Sequence, residues 1–323
     1  MKPLNIFTLK ALRKVYTKVF GVQPVSKPTC EQDPNKVSQL IYNQLVSDKP
    51  CMIARFGAFE LSTVVNYLGV KSQNRNLRQY IKGESLQWWW NENTLSHMQN
   101  NAGFFPLTED KIQQFCELML KDMKEVDVLG SWLPNEQYFT SSLKNMELVQ
   151  REIQNPFFAK QPWTFALKGK KVLVIHPFAE LIEQQYQHHR LQLFDNQDIL
   201  PEFKLQTITA VQSLGGKHEK FSTWFEALQS MKDEMDKRDY DICLIGAGAY
   251  GFPLAAHAKR QGKKAVHLGG SLQLLFGIKG KRWEDPNYNE KYNYAALMNH
   301  CWVRPGEKFR PKNAENVEGA CYW

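Results

Sequence analysis

The sequence predicts an α/β fold, a mostly parallel sheet covered by helices. Short β-rich runs at Lys171 to Ile175, Lys204 to Ile208, Asp241 to Ile245 and Ala265 to Leu268 are each separated from the next by a helical stretch. That alternation is what parallel strands with crossover helices require. A second observation comes earlier in the chain, where the apolar run Cys51 to Phe56 ends at Gly57 and Leu61, Val64, Val65 and Leu68 then recur at helical spacing, giving strand, tight turn and helix. Third, glycine-rich turns stand at the carboxyl ends of these runs, the edge at which open parallel sheets bind ligands.

The elements before the sheet follow in order. In residues 1–24, Leu9, Leu12, Tyr16, Val19 and Phe20 share one helical face while Lys10, Arg13, Lys14 and Lys18 gather on the other, a basic amphipathic helix. Its apolar face either docks on the body or meets an anionic membrane. A polar stretch, Gln23 to Asn35, leads to a helix at about Lys36 to Val46. Helical pattern fills most of Arg75 to Met123, broken by a loop at Asn100 to Pro106, and Val126 to Leu129 is a short strand candidate. The Pro-bearing stretch Asn155 to Pro162 divides a single unit, residues 25–323, into an N-terminal half, 25–162, and a second half, 163–323.

With 323 residues, 43% of them hydrophobic, the chain can bury a sizeable core. A net charge of +8 favours an anionic partner, either a phosphate-bearing small molecule or an anionic lipid surface. The cations are scattered apart from Lys168 to Lys171 and Lys279 to Arg282, and no nucleic-acid-binding signature accompanies them, so nucleic acid is not expected as a partner. The cysteines lack C-x-x-C spacing, which argues for a reducing compartment. No run approaches the roughly 20 apolar residues of a membrane span, and the first residues make a poor secretory signal. The expected location is cytoplasmic, at the inner face of the membrane if the first helix binds lipid.

Chemistry concentrates in five segments. Gly246-Ala247-Gly248-Ala249-Tyr250-Gly251 is a G-x-G-x-x-G between strand and helix, a Rossmann-like arrangement whose glycines let backbone approach a diphosphate. Alternatively, the glycines only permit strand and helix to pack closely. The next strand ends in His267-Leu268-Gly269-Gly270, without the acid that would hold the ribose hydroxyls of a nicotinamide dinucleotide. His267 either contacts a ligand or is satisfied by backbone groups. Leu275 to Trp283 carries Lys279, Lys281 and Arg282 on a glycine-bearing loop, which can neutralise a departing diphosphate or simply be solvated. His176, ahead of Pro177, falls at the sheet's carboxyl edge. Arg55 precedes the Gly57 turn and Glu60 follows it. Arg55 suits a phosphate, and Glu60 suits a general base, a metal ligand or a helix-start carboxylate.

Taken together, Arg55-Phe56-Gly57-Ala58-Phe59-Glu60, Gly103-Phe104-Phe105, Lys170 to Phe178 and the glycine turn with Pro253-Leu254-Ala255 resemble the GT-D-fold glycosyltransferases of bacterial surface-polysaccharide and adhesin glycosylation. Members of that class carry Arg-Phe-Gly-Asp-Gly-Glu, with an Asp-x-Glu pair associated with a divalent cation and the donor diphosphate. This chain has Ala58 and Phe59 at the two intervening positions, so the resemblance carries over Arg55, Gly57 and Glu60 alone and weakens the case for manganese or magnesium. What it implies is transfer of a hexose from a nucleoside-diphosphate sugar, a UDP-sugar first, to a glycan or lipid-linked acceptor. Glu60 is then the first candidate for the catalytic base and Glu318 the second. The chain's end either folds over the site or is a solvated tail. A Rossmann-type oxidoreductase and a non-catalytic nucleotide-sugar binding module are the alternatives.

Overall fold

A computed structural model describes residues 3–213, 215–310 and 320–323. Its strands are β1 (Cys51–Ala54), β2 (Val128–Ser131), β3 (Glu147–Gln150), β4 (Lys171–His176), β5 (Lys204–Thr209), β6 (Ile242–Ile245) and β7 (Lys264–His267). They form a single sheet in the order β3-β2-β1-β7-β6-β4-β5, and every neighbouring pair is parallel. Helices cover it. The fold is therefore α/β and Rossmann-like.

A parallel sheet hides both faces, so its inner strands read as unbroken apolar runs; β1, β2 and β6 are buried at every position. Side chains alternate between two core layers. Met52, Ala54, Leu173, Ile175, Cys243 and Ile245 face one layer with Phe104, Phe115 and Trp224. Ile53, Val128, Val172, Val174, Ile242 and Leu244 face the other with Ile41, Trp163 and Phe276. β3 is absent from the sequence expectations because, at the sheet's edge, only Val149 of its four residues is buried. Four residues with two apolar side chains, only one of them buried, leave no periodicity to read.

Topology places the site. From β1 the chain winds outward to β2 and β3; from β4 it first steps outward to β5 and then returns through β6 to β7, which pairs with β1. The carboxyl ends of β1, β7, β6 and β4 thus stand side by side where the winding reverses, the position at which such sheets leave a crevice.

The first helix, Pro3–Phe20, presents a different face to the body than expected. Leu9 is buried and, with Ile6, packs against Tyr80, Trp88 and Trp89, while Arg13 lies over the Tyr80 ring at 4.7 Å. Leu12, Val19 and Phe20, on the face expected either to dock or to meet a membrane, are exposed. The aromatic shelf offered by Tyr80 and Trp89 accepts an arginine face as readily as an aliphatic one. Among the described residues no helix is long and apolar enough to cross a membrane.

Candidate functional site

A cleft of about 300 Å³ opens over the carboxyl ends of β1, β7, β6 and β4. Arg55, the residue that follows β1, reaches into its floor, where Nη2 donates to Ser271 Oγ at 2.6 Å. Ser271 donates in turn to Asn155 Oδ1 at 2.7 Å, and Asn155 Nδ2 donates to the Tyr294 hydroxyl at 3.0 Å. Three residues from distant parts of the chain therefore fix one guanidinium. Burial pushes Arg55 down to about 10, and the neighbouring Arg151 adds to the effect. Among the described residues no carboxylate lies within ion-pair distance of Arg55. Arg151, by contrast, is held by Glu152 at 2.6 Å and lies over the Trp132 ring at 4.2 Å. Burial opposes ionisation of Glu152, but the Arg151 guanidinium outweighs it and holds the carboxyl below its ordinary range.

The glycine turn faces Arg55 across the cleft, and its three glycines have different tasks. A side chain on Gly246 would strike the His176 ring at 2.6 Å and the Gly269 carbonyl at 2.7 Å. One on Gly251 would strike the buried His267 ring at 2.5 Å. These two permit close packing, and Gly251, inside the helix Gly251–Arg260, does not line the cleft. Gly248 differs: its φ is +52° and nothing lies within 4 Å of where a side chain would start. The left-handed backbone requires glycine there, and the open space beside it faces the cleft. Tyr250 anchors the turn, stacked on Trp224 at 4.7 Å and bonded to Ser213 at 2.8 Å. Ser213 also donates to the Gly103 carbonyl at 2.7 Å, which ties the Gly103-Phe104-Phe105 loop to the same wall.

Both histidines line the cleft as neutral rings. Burial pushes His176 down to about 3; its Nδ1 accepts the Phe178 amide at 3.0 Å, so the ring's proton sits on Nε2. Burial, with help from the Arg55 charge, likewise pushes His267 down to about 3. Its Nδ1 is buried without a hydrogen-bond partner, while the Arg55 backbone lies close enough to the ring to act on it as a hydrogen-bonding group.

Glu60 lines the cleft but its carboxylate curls back over Gly57 at the start of the helix Ala58–Lys71, the geometry of a helix-start acid. Among the described residues no group of three His, Cys, Asp or Glu side chains can hold a metal ion. Glu60 with Ala58 and Phe59 beside it does not supply the ligand set of a hard divalent cation. Glu318 lies outside the described residues. Of the expected basic loop only Arg282 reaches the cleft. Leu275, Phe276 and Ile278 are wholly buried and the Lys279 amide is tied to the Val303 carbonyl at 2.7 Å, so Lys279 does not line the cleft and Lys281 points to solvent.

The chain's end folds over the site. Tyr322 and Trp323 line the cleft, the Trp323 indole donates to the Phe309 carbonyl at 2.8 Å, and the Arg282 guanidinium sits over the Tyr322 ring at 4.6 Å. The Tyr322 ring packs so closely on Gly270 that no side chain fits there.

No family model, curated protein or solved structure matches the chain. The site therefore has to be read from its own chemistry. Arg55, Gly57, Glu60, His176, Gly246, Gly248, His267 and Arg282 come together in one cleft. Ser271, Asn155, Arg151, Tyr294 and Trp132 were not legible as site residues. Asn155 stands in a stretch that reads as a linker, and Ser271 follows β7 where an acid was sought; only the reversal of winding brings both to Arg55.

Proposed function

We propose that the cleft binds a nucleoside-diphosphate sugar and transfers its glycosyl group to a hydroxyl of a glycan or lipid-linked acceptor. The observation that carries this reading is the half-buried Arg55 guanidinium in the cleft floor, held by Ser271, with no carboxylate at ion-pair distance among the described residues. A partly desolvated cation without a close ion-pair partner is costly, and an anion in the cleft lowers that cost. The open turn at Gly248 lies across the same cleft, where backbone can approach a diphosphate. Aromatic faces at Tyr288, Tyr322 and Trp323 suit a base or a sugar ring.

Against a dinucleotide stands the end of β7, the strand beside the glycine turn, which carries His267 and two glycines in place of an acid for ribose. In the transferase reading, negative charge grows on the departing diphosphate as the glycosyl bond breaks, and Arg55 and Arg282 are preorganised to receive it. The His176 Nε2 proton adds an uncharged donor. Glu60 is the residue assigned to take the acceptor's proton, which requires its carboxylate to swing away from Gly57. No step is routed through a metal.

Calorimetric titration with UDP, UDP-sugars and NAD, followed by donor-hydrolysis and transfer assays, tests the reading. Binding of the nucleoside diphosphate but not NAD is expected, and a marked weakening of that binding in Arg55→Met. Tight NAD binding would reverse the assignment. A protein that binds donor yet neither hydrolyses nor transfers it is a binding module, the reading that the folded-back Glu60 favours. Glu60→Gln separates the two, since it should keep donor affinity and lose most transfer.

A further inference from the structure

We propose that the helix Pro3–Phe20 binds the surface of an anionic lipid bilayer, with its outer face in the acyl boundary and its lysine row among headgroup phosphates. The proposal does not depend on what the cleft binds. Leu9, Ile6 and Arg13 face the body. The opposite face is apolar and bare: Leu4 is 74% exposed, Phe7 71%, Val15 61%, Val19 66% and Leu12 48%. At 3.6 residues per turn these side chains and Ala11 span a sector roughly 140° wide. Large apolar side chains left in water along a whole helix face mark a contact surface.

Charge identifies the occupant. Lys10, Lys14 and Lys18 recur every fourth residue in a row that crosses one border of that sector, Lys10 outside it and Lys18 just within it, and the helix contains no Asp or Glu. Among the described residues none of these lysines, nor Arg13, pairs with a carboxylate. Between the helix and its shelf, Lys10, Arg13, Lys14 and Lys18 line a shallow groove with Tyr80. On a bilayer, apolar side chains enter the acyl region while lysines at the border stay at headgroup height, their stems covering apolar surface. Two copies docked through this face would bring together two cationic helices with no carboxylate on either one. An anionic lipid surface meets both the apolar sector and the lysine border.

The test is co-sedimentation of the full chain with phosphatidylcholine vesicles, with and without phosphatidylglycerol, at low and high salt. Binding is expected to the phosphatidylglycerol vesicles and to weaken with salt. Replacing the three lysines, Lys10→Gln, Lys14→Gln and Lys18→Gln, should lower partitioning by about 100-fold. Phe7→Asp with Val15→Asp should abolish it, while the far-UV circular dichroism and Tm stay unchanged because both positions are exposed. Absence of the wild type from the pelleted phosphatidylglycerol vesicles would overturn the proposal. So would equal binding by all three proteins, or a wild-type dimer in ultracentrifugation that the Phe7→Asp, Val15→Asp variant converts to monomer.

Discussion

At the scale of the residue, the floor of the cleft is organised around the Arg55 guanidinium and two neutral histidine rings. Arg55→Met keeps the length of the side chain and removes the charge, so it should weaken nucleoside-diphosphate binding by about 2 kcal/mol, roughly thirtyfold in Kd. Because the half-buried guanidinium has no carboxylate at ion-pair distance among the described residues, the same variant should melt at or above the wild-type Tm. A large fall in Tm would mean that the Ser271 and Asn155 network needs Arg55 for folding. The glycines divide in the same way. Gly248→Ala meets open space and is charged only the left-handed strain of about 1–2 kcal/mol, whereas Gly251→Ala drives a methyl group into the His267 ring and should destabilise more. Thermal melts of the two variants rank them. His176 and His267 add a pH dependence whose sign is fixed. Their folded values, about 3, lie below the ordinary 6.5, so the unfolded chain binds more protons in that window and stability falls as pH falls through it. The loss is on the order of 5 kcal/mol for each ring at the acid end. His176→Asn, which can still accept the Phe178 amide, should flatten the acid limb of the urea midpoint plotted against pH; an unaltered limb would show that His176 is not the titrating group.

At the scale of the element, the strands that line the cleft were legible and the segments that close it were not. β1, β4, β6 and β7 announce themselves because burial on both faces forces unbroken apolar runs, and the turns after β1 and β6 show their glycines. Lys279, Lys281 and Arg282 looked equivalent in sequence, yet Phe276 and Ile278 anchor the loop in the core and turn only Arg282 toward the cleft. Proximity in sequence gave three cations where packing allows one. The terminal segment carries the matching prediction. Tyr322 supports Arg282 from below and fills the space over Gly270, so Tyr322→Ala should cost about 1 kcal/mol of donor affinity through lost stacking, roughly fivefold in Kd, with little change in fold. Titration of UDP into this variant measures it, and an unchanged Kd would place the chain's end outside the binding site.

At the scale of the whole molecule, the two halves of the chain cannot be separate folding units. β1 from the first half pairs with β7 from the second along Cys51 to Ile53. Each core layer draws from both halves: Leu61 and Phe115 share one with Trp224 and Tyr250, and Val37 and Ile41 share the other with Trp163 and Phe276. Sequence reading placed a boundary at Asn155 to Pro162, but Asn155 is buried and bonded to Ser271 and Tyr294, so that stretch belongs to the site and to the join between halves. Unfolding one half would strip a strand edge and expose a face of both layers in the other, which makes a partly folded state unfavourable. Urea unfolding followed by tryptophan fluorescence and by far-UV circular dichroism should therefore give coincident single transitions. A stable proteolytic fragment spanning 163–323, or two resolved transitions, would contradict this coupling. The helix Pro3–Phe20 is the expected exception: a small cluster around Leu9, Tyr80 and Trp89 holds it, so its amides should exchange with solvent well before those of β1 and β7.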